Sequence, residues 1–424
     1  MSKFALAIDA DPATSPAAGE QHIAPVPRVS IQAFCEMPEL AQAVQAAAGD
    51  RRMAKAHVKV QMGALAGAVE AYRNAATPNV ILIEHNGSGV ELLEGLDRLA
   101  ECCDAGTKVI VVGRLNDIIL YRELVRRGIS DYLISPLAPV DVVRAVSGLF
   151  TSPQSAPVGR VIAVLGAKGG VGASTIAHNV AFAVARDLSL DTVIADLDLP
   201  FGTAGLDFNQ DPPQGVADAV FAPERIDNNF IDRLLSKCTD HLSLLAAPAT
   251  LDREYDFGSD TFDPIVDSMR SNVPYIVLDI PHMWTGWSKH ALIGADEVLL
   301  VTAPDLANLR NAKNLFDFVR GARPNDRPPF YVLNQLGMPK RPEVRPADFA
   351  KALEAAPLAT IPFDPQLFGT AANNGQMIAE VSPKHKAAET FLTIAKTLTG
   401  RVEAKKQKRD LLSPLLAKMR AGFK

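Results

Sequence analysis

The stretch Ala167-Lys168-Gly169-Gly170-Val171-Gly172-Ala173-Ser174-Thr175 constrains this chain most. It lies between the apolar run 161–165 and a segment of helical spacing from 174 to about 185. A strand that stops at such a turn and restarts as a helix aims several unpaired backbone N–H groups at one point, where the helix's partial positive charge also favours an anion. Glycines at 169, 170 and 172 permit positive φ and let the backbone approach phosphate oxygens. Ser174 offers a hydroxyl where such loops hold Mg²⁺. The stretch reads as a phosphate cradle. Two positions depart from the usual pattern: Ala173 stands where a lysine normally neutralises the β- and γ-phosphates, and Ala167 replaces the first glycine. Losing one charge-assisted hydrogen bond costs about 1.5–3 kcal/mol of binding, whereas losing a donor that acts at the transition state costs about 10²–10³ in rate. Binding survives such a change more readily than catalysis.

At 424 residues, 48% of them hydrophobic, the chain can bury two ordinary cores, and two domains are expected. A net charge of −5 gives no global reason to expect nucleic acid, although the last residues are basic. Cys35, Cys102, Cys103 and Cys238 show no zinc or disulfide spacing. No apolar run approaches the roughly 18 residues of a membrane span, and the opening run 4–8 meets Asp9 at once. The expectation is a cytoplasmic protein, at most peripheral to a membrane.

Residues 1–28, rich in Ala and Pro without period, read as a disordered arm, and 29–150 as a small doubly wound α/β domain. Strands are expected over 29–35, 57–61, 80–83, 108–112 and 131–134. Helices are expected over 38–48, 63–74, 89–102, 117–127 and 139–150. The closing segment Arg127-Gly-Ile-Ser-Asp-Tyr-Leu-Ile-Ser-Pro136 resembles the end of a response-regulator receiver. The receiver's phosphorylation chemistry is absent from the matching positions: Glu84 follows the third strand, Ser135 replaces the lysine, Gly113 replaces the Ser/Thr, and Glu36 alone is acidic at the first strand's end. Phosphorylation is not expected, and Glu84 and His85 read as ordinary loop residues. Such a domain is expected to offer a helix face to a partner or to another copy. Residues 151–158 form a polar, proline-containing linker.

A second doubly wound domain spans 159–400. The strand 192–195 delivers Asp196 and Asp198, which a period of two places on one side; 275–278 delivers Asp279 in the same way. Such carboxylates suit Mg²⁺ held through water and the polarisation of an attacking water. Runs 298–302 and 330–334 read as further core strands with polar ends.

This ordered set resembles the MinD/ParA family of P-loop ATPases. The resemblance makes Lys168 the signature lysine that reaches a partner's phosphates across a nucleotide-sandwich homodimer, Asp198 the water-polarising residue and Asp279 the Walker B aspartate. It makes Asn334 the adenine contact and places Pro362 and Asp364 on the loop that closes over the base. ATP and Mg²⁺ are the implied cofactors, with Ser174, Asp196 and Asp279 the metal-side groups. An atypical receiver-like domain followed by a loop reading Gly-Gly-Val-Gly-Ala-Ser-Thr is similar to the TadZ/CpaE pilus-assembly family. That likeness implies a polar localisation and assembly factor for a Tad/Flp pilus secretion machine. With Ala173 in place, the expected chemistry is nucleotide-dependent dimerisation with weak or no hydrolysis; the alternative is a cycling ATPase that positions cargo on membrane or DNA. His178 and His282 read as core or surface histidines, and Trp284 and Trp287 as packing residues or as residues for a partner to bury. Residues 401–424 combine Lys/Arg with Leu at helical spacing. This tail suits a membrane surface, a partner or its own domain, and is the feature that would carry DNA binding.

Overall fold

The computed structural model describes residues 22–151, 158–248, 251 and 253–401; expectations for the start of the arm, most of the linker and the tail beyond 401 lie outside the described residues. The first domain has strands β1 (Ser30–Cys35), β2 (His57–Met62), β3 (Val80–Glu84), β4 (Lys108–Gly113) and β5 (Asp131–Ile134). Their order is β2-β1-β3-β4-β5, all parallel. β3 is buried at every position, as an apolar run covered on both faces must be. Helices α1 (Pro38–Ala48) and α5 (Pro139–Phe150) pack on one face, while α2 (Ala64–Tyr72), α3 (Gly89–Ala100) and α4 (Ile118–Arg126) pack on the other. Residues 22–28, expected within the arm, are packed: the Val26 N–H donates to Arg52 C=O (2.8 Å) and the Ser147 hydroxyl to Ala24 C=O (2.7 Å). Glu84 is not an ordinary loop residue. Its buried Oε2 accepts the N–H groups of Glu36 (2.7 Å) and Met37 (2.8 Å), so the receiver's phosphoacceptor position serves here to cap the approach to α1.

The second domain contributes β6 (Arg160–Gly166), β7 (Thr192–Asp196), β8 (Ser236–Lys237), β9 (Leu242–Leu245), β10 (Tyr275–Ile280), β11 (Glu297–Thr302), β12 (Phe330–Leu336) and β13 (Ala359–Pro362). Their order is β13-β12-β11-β6-β10-β7-β9-β8, parallel except for β8. Apolar clusters cover both faces. The helix after β6, α6 (Ala173–Leu188), is buried without a break from Ile176 to Ala185. The domains meet at the edge where β6 and β11 begin: Arg51 of the first domain reaches Asp326 (2.7 Å) and Asp296 (3.2 Å) of the second. The opposite edge, where these strands end, is left open for the cradle.

Candidate nucleotide-binding site

The turn between β6 and α6 stands at that open edge. Gly170 and Gly172 hold φ of 79° and 84°, the region an L side chain resists. A Cβ on Gly172 would also lie 2.7 Å from Asn334 Nδ2. Four side chains donate to the turn's carbonyls: His282 Nδ1 to Gly166 (2.8 Å), Asn311 Nδ2 to Ala167 (2.9 Å), Gln335 Nε2 to Gly170 (3.0 Å) and Asn334 Nδ2 to Val171 (2.8 Å). With its carbonyls engaged, the turn is left to present N–H groups to an anion, joined by those of the first turn of α6. Lys168 is exposed at the front, while Ala173, Ser174 and Thr175 are half-buried. Lys168 is felt by Asp305: burial works against ionisation there, yet the Asn308 amide and side chain and the charge of Lys168 hold that carboxyl below its usual range.

Beneath the turn, Asp279 and Asp196 are register partners on β10 and β7, both buried. The Asp196 oxygens accept the N–H groups of Asp198 (3.1 Å) and Ala204 (3.0 Å). Burial first, and the Asp279 charge second, push the Asp196 carboxyl up. Asp198 is half-buried, accepts the Phe201 N–H (3.2 Å), and is raised chiefly by burial. His178 joins the carboxylates from α6. It is fully buried, with Nδ1 2.7 Å from Asp207 and Nε2 3.3 Å from Asp279, an ion-pair distance without hydrogen-bond alignment. Burial alone would push the imidazole down; the bond to Asp207 and the charge of Asp279 overcome it and lift His178 to about 10.

The structure thus gathers Lys168 through Thr175, Asp196, Asp198, Asp279 and Asn334 at one edge. Asn334 there braces the loop backbone. Pro362, on β13, and Asp364, which caps the helix Pro365–Asn374 by accepting the Leu367 N–H (3.0 Å), stand at the rim, with β12 and β11 between them and β6. Sequence reasoning missed four contributors. His178 is the buried core histidine expected, but it stands beside Asp279; His282, Asn311 and Gln335 hold the turn's carbonyls. For His178 a signal existed: it lies one helical turn after Ser174, on the same face.

Comparison with known proteins agrees with this architecture. Residues 159–329 match the family model described as an AAA domain. The septum site-determining protein MinD of Synechocystis sp. is 26% identical over 250 residues, 57% of this chain and 90% of its own. A ParA family ATPase from Chlorobium tepidum is 25% identical, covering 56% of this chain and 98% of its own with a TM-score of 0.50. Fold and loop together define a MinD/ParA-like P-loop protein carrying a flavodoxin-like N-terminal domain. A pilus assembly protein CpaE from Caulobacter crescentus is 48% identical over 31% of this chain and 100% of its own solved length, with a TM-score of 0.30. On that identity the chain belongs to the CpaE pilus-assembly family.

Proposed function

We propose that this chain is an ATP-binding localisation and assembly factor for a Tad/Flp pilus secretion machine, dimerising around nucleotide with little or no turnover. It would act at the inner face of the membrane, at a cell pole. One observation carries the nucleotide part: four side chains tie back carbonyls of the glycine-rich turn, which departs from the usual cradle only at Ala167 and Ala173. The pilus part rests on kinship with CpaE proteins.

Bound nucleotide would lay its phosphates against the N–H groups of 169–175. The residues fit Mg²⁺ as a nucleotide-borne ion: Ser174 offers a direct oxygen, and Asp279 an outer acceptor through water, with Asp196 behind it. Mg²⁺, when bound, supplies charge neutralisation at the phosphates. Lys168, at the front of the loop, would reach the partner's phosphates, and the exposed apolar residues Phe201, Leu206, Met283 and Leu306 on the segments after β7, β10 and β11 suit burial in such a dimer. Nucleotide then acts as a shape signal, through its differential affinity for the dimer. A second reading, a cycling ATPase, is favoured by Asp198 standing half-buried beside the cradle.

Steady-state ATP turnover with Mg²⁺, measured for wild type and Ala173→Lys after each is shown to bind ATP, separates the two. Binding without turnover in wild type, with turnover gained in the variant, supports the scaffold. Turnover in wild type that falls in Asp198→Ala supports the cycling enzyme.

A further inference from the structure

Helix α4 buries Leu120 and Leu124 but leaves an apolar edge uncovered. Ile118 is 65% exposed and Ile119 75%, with Val125 at 49%. Leu115, just before the helix, is exposed too, and its carbonyl accepts the Tyr132 hydroxyl (2.9 Å), which ties this approach to β5. The edge lies on the sheet face opposite α1 and α5, whereas the second domain is met through residues 22–26, the turn Arg51–Met53 and α5. It therefore points away from the rest of the molecule.

Its charge is one-sided. Between 114 and 127 stand four arginines and two acids. Asp117 is consumed as the cap of α4, accepting the Ile119 N–H (2.7 Å), and Glu123 is tied to Arg126 (2.6 Å) and Arg127 (2.8 Å). Arg114 and Arg122 have no acid of their own among the described residues. On the neighbouring α3, Glu91 turns back to Ser88 and Asp97 to Arg127, which leaves Glu94 as the one α3 carboxylate without an ion pair among the described residues. A second copy seated on the same edge would oppose arginine to arginine, and the basic tail 401–424 would be repelled. The occupant must be anionic and apolar at once against a convex helix edge, and acyl chains beneath headgroup phosphates are both. Aliphatic tips inserted beside arginines whose stems can extend to the headgroups give that match.

We infer that α4 is a contact edge for an anionic bilayer surface, separate from any hold the tail provides. The test is co-sedimentation of the full chain with vesicles of phosphatidylethanolamine and phosphatidylglycerol, and with phosphatidylcholine alone. The expected result is binding that requires phosphatidylglycerol. Ile118→Asp with Ile119→Asp should weaken it at least about tenfold, and Arg114→Glu with Arg122→Glu by a similar factor. Both pairs are exposed, so a fluorescent ATP analogue should bind all forms alike and report that they are folded. Equal sedimentation of wild type and the isoleucine variant, or no sedimentation of wild type, overturns the inference. Pelleting without lipid that is lost in the isoleucine variant overturns it in favour of self-association.

Discussion

His178 lies one helical turn beyond Ser174, and its two carboxylate neighbours favour the protonated imidazole. That imidazole sits between Asp207 and Asp279 with no exposure. Removing it in His178→Ala leaves the buried Asp279 carboxylate without its cation, and breaking a buried pair costs about 3–5 kcal/mol. Urea unfolding at pH 7 should register that loss. The sign with pH follows from the raised value: the stabilisation is complete below the unfolded pKa near 6.5 and is lost as pH climbs through about 10. The wild-type urea midpoint should therefore fall between pH 8 and 10.5, with a smaller fall in His178→Gln. Two glycines make a second contrast. Gly170→Ala meets open space and bears only the positive-φ cost of about 1–2 kcal/mol. Gly172→Ala bears that cost and also drives a Cβ against Asn334, the side chain that holds Val171. Calorimetric titration with ATP should show the larger loss of affinity at Gly172. Gly170 and Gly172 were legible in sequence because residue type alone permits their positive φ. His178 was legible only in its spacing one turn beyond Ser174, because its pairing depends on Asp207 folding back from 29 positions away.

Among elements, the legible ones are those whose burial writes a continuous apolar run. β3, β6, β7, β10 and β11 were each visible as such, and the five strands of the first domain lie where expected to within a residue. β8, β9 and β13 were not: β8 has two residues, and β9 and β13, though as long as β5, lacked the receiver-like flanking segment that marked β5. The packed residues 22–28 were hidden for a different reason: proline-rich extended chain has the same composition whether it is solvated or docked on Arg52 and Ser147. The helix Gly286–Gly294 separates two tryptophans that the sequence treats alike. Trp287 is 3% exposed and packs on Phe262 at a ring separation of 4.9 Å, whereas Trp284 is 49% exposed and touches Phe318 edge-on. Trp287→Ala should cost about 3–5 kcal/mol in urea unfolding. Trp284→Ala should cost about 0.5–1.5 kcal/mol. Because Trp284 stands beside Met283 on the cradle's edge, its loss should also reduce ATP-dependent dimer measured by light scattering, while leaving ATP affinity of the monomer unchanged.

On the scale of the whole molecule, the two domains are joined by a buried ionic cluster at the edge of the second sheet opposite the cradle. Arg51 bridges Asp326 and Asp296, Arg52 reaches Asp326 (3.1 Å), Asn325 donates to Asp50 (3.0 Å), and Arg270 holds Asp296 from its own side (2.9 Å). Asp296 immediately precedes β11, whose far end leads to Asp305 beside Lys168, so one strand runs from the domain junction to the cradle. All three junction carboxylates, Asp50, Asp296 and Asp326, are held below their usual range. Burial works against ionisation, but Arg270, His22 and Arg51 outweigh it at Asp296, and Arg52 with Asn325 hold Asp50 down to about 2. Such depressed groups contribute stability above the unfolded carboxylate pKa near 3.9, and that contribution is lost as pH falls through the folded values. The junction should therefore hold at pH 5 and weaken between about pH 4 and 2. Arg51→Met removes a cation shared by two buried acids and should cost about 3–5 kcal/mol, most of it at the junction. Scanning calorimetry should show one transition for wild type at pH 7, and two for Arg51→Met at pH 7 and for wild type at pH 3. A single unshifted transition in the variant would mean that apolar contact alone couples the domains. Two transitions would mean that the ionic cluster makes the first domain a rigid extension of the second, carried wherever the cradle's partner places it.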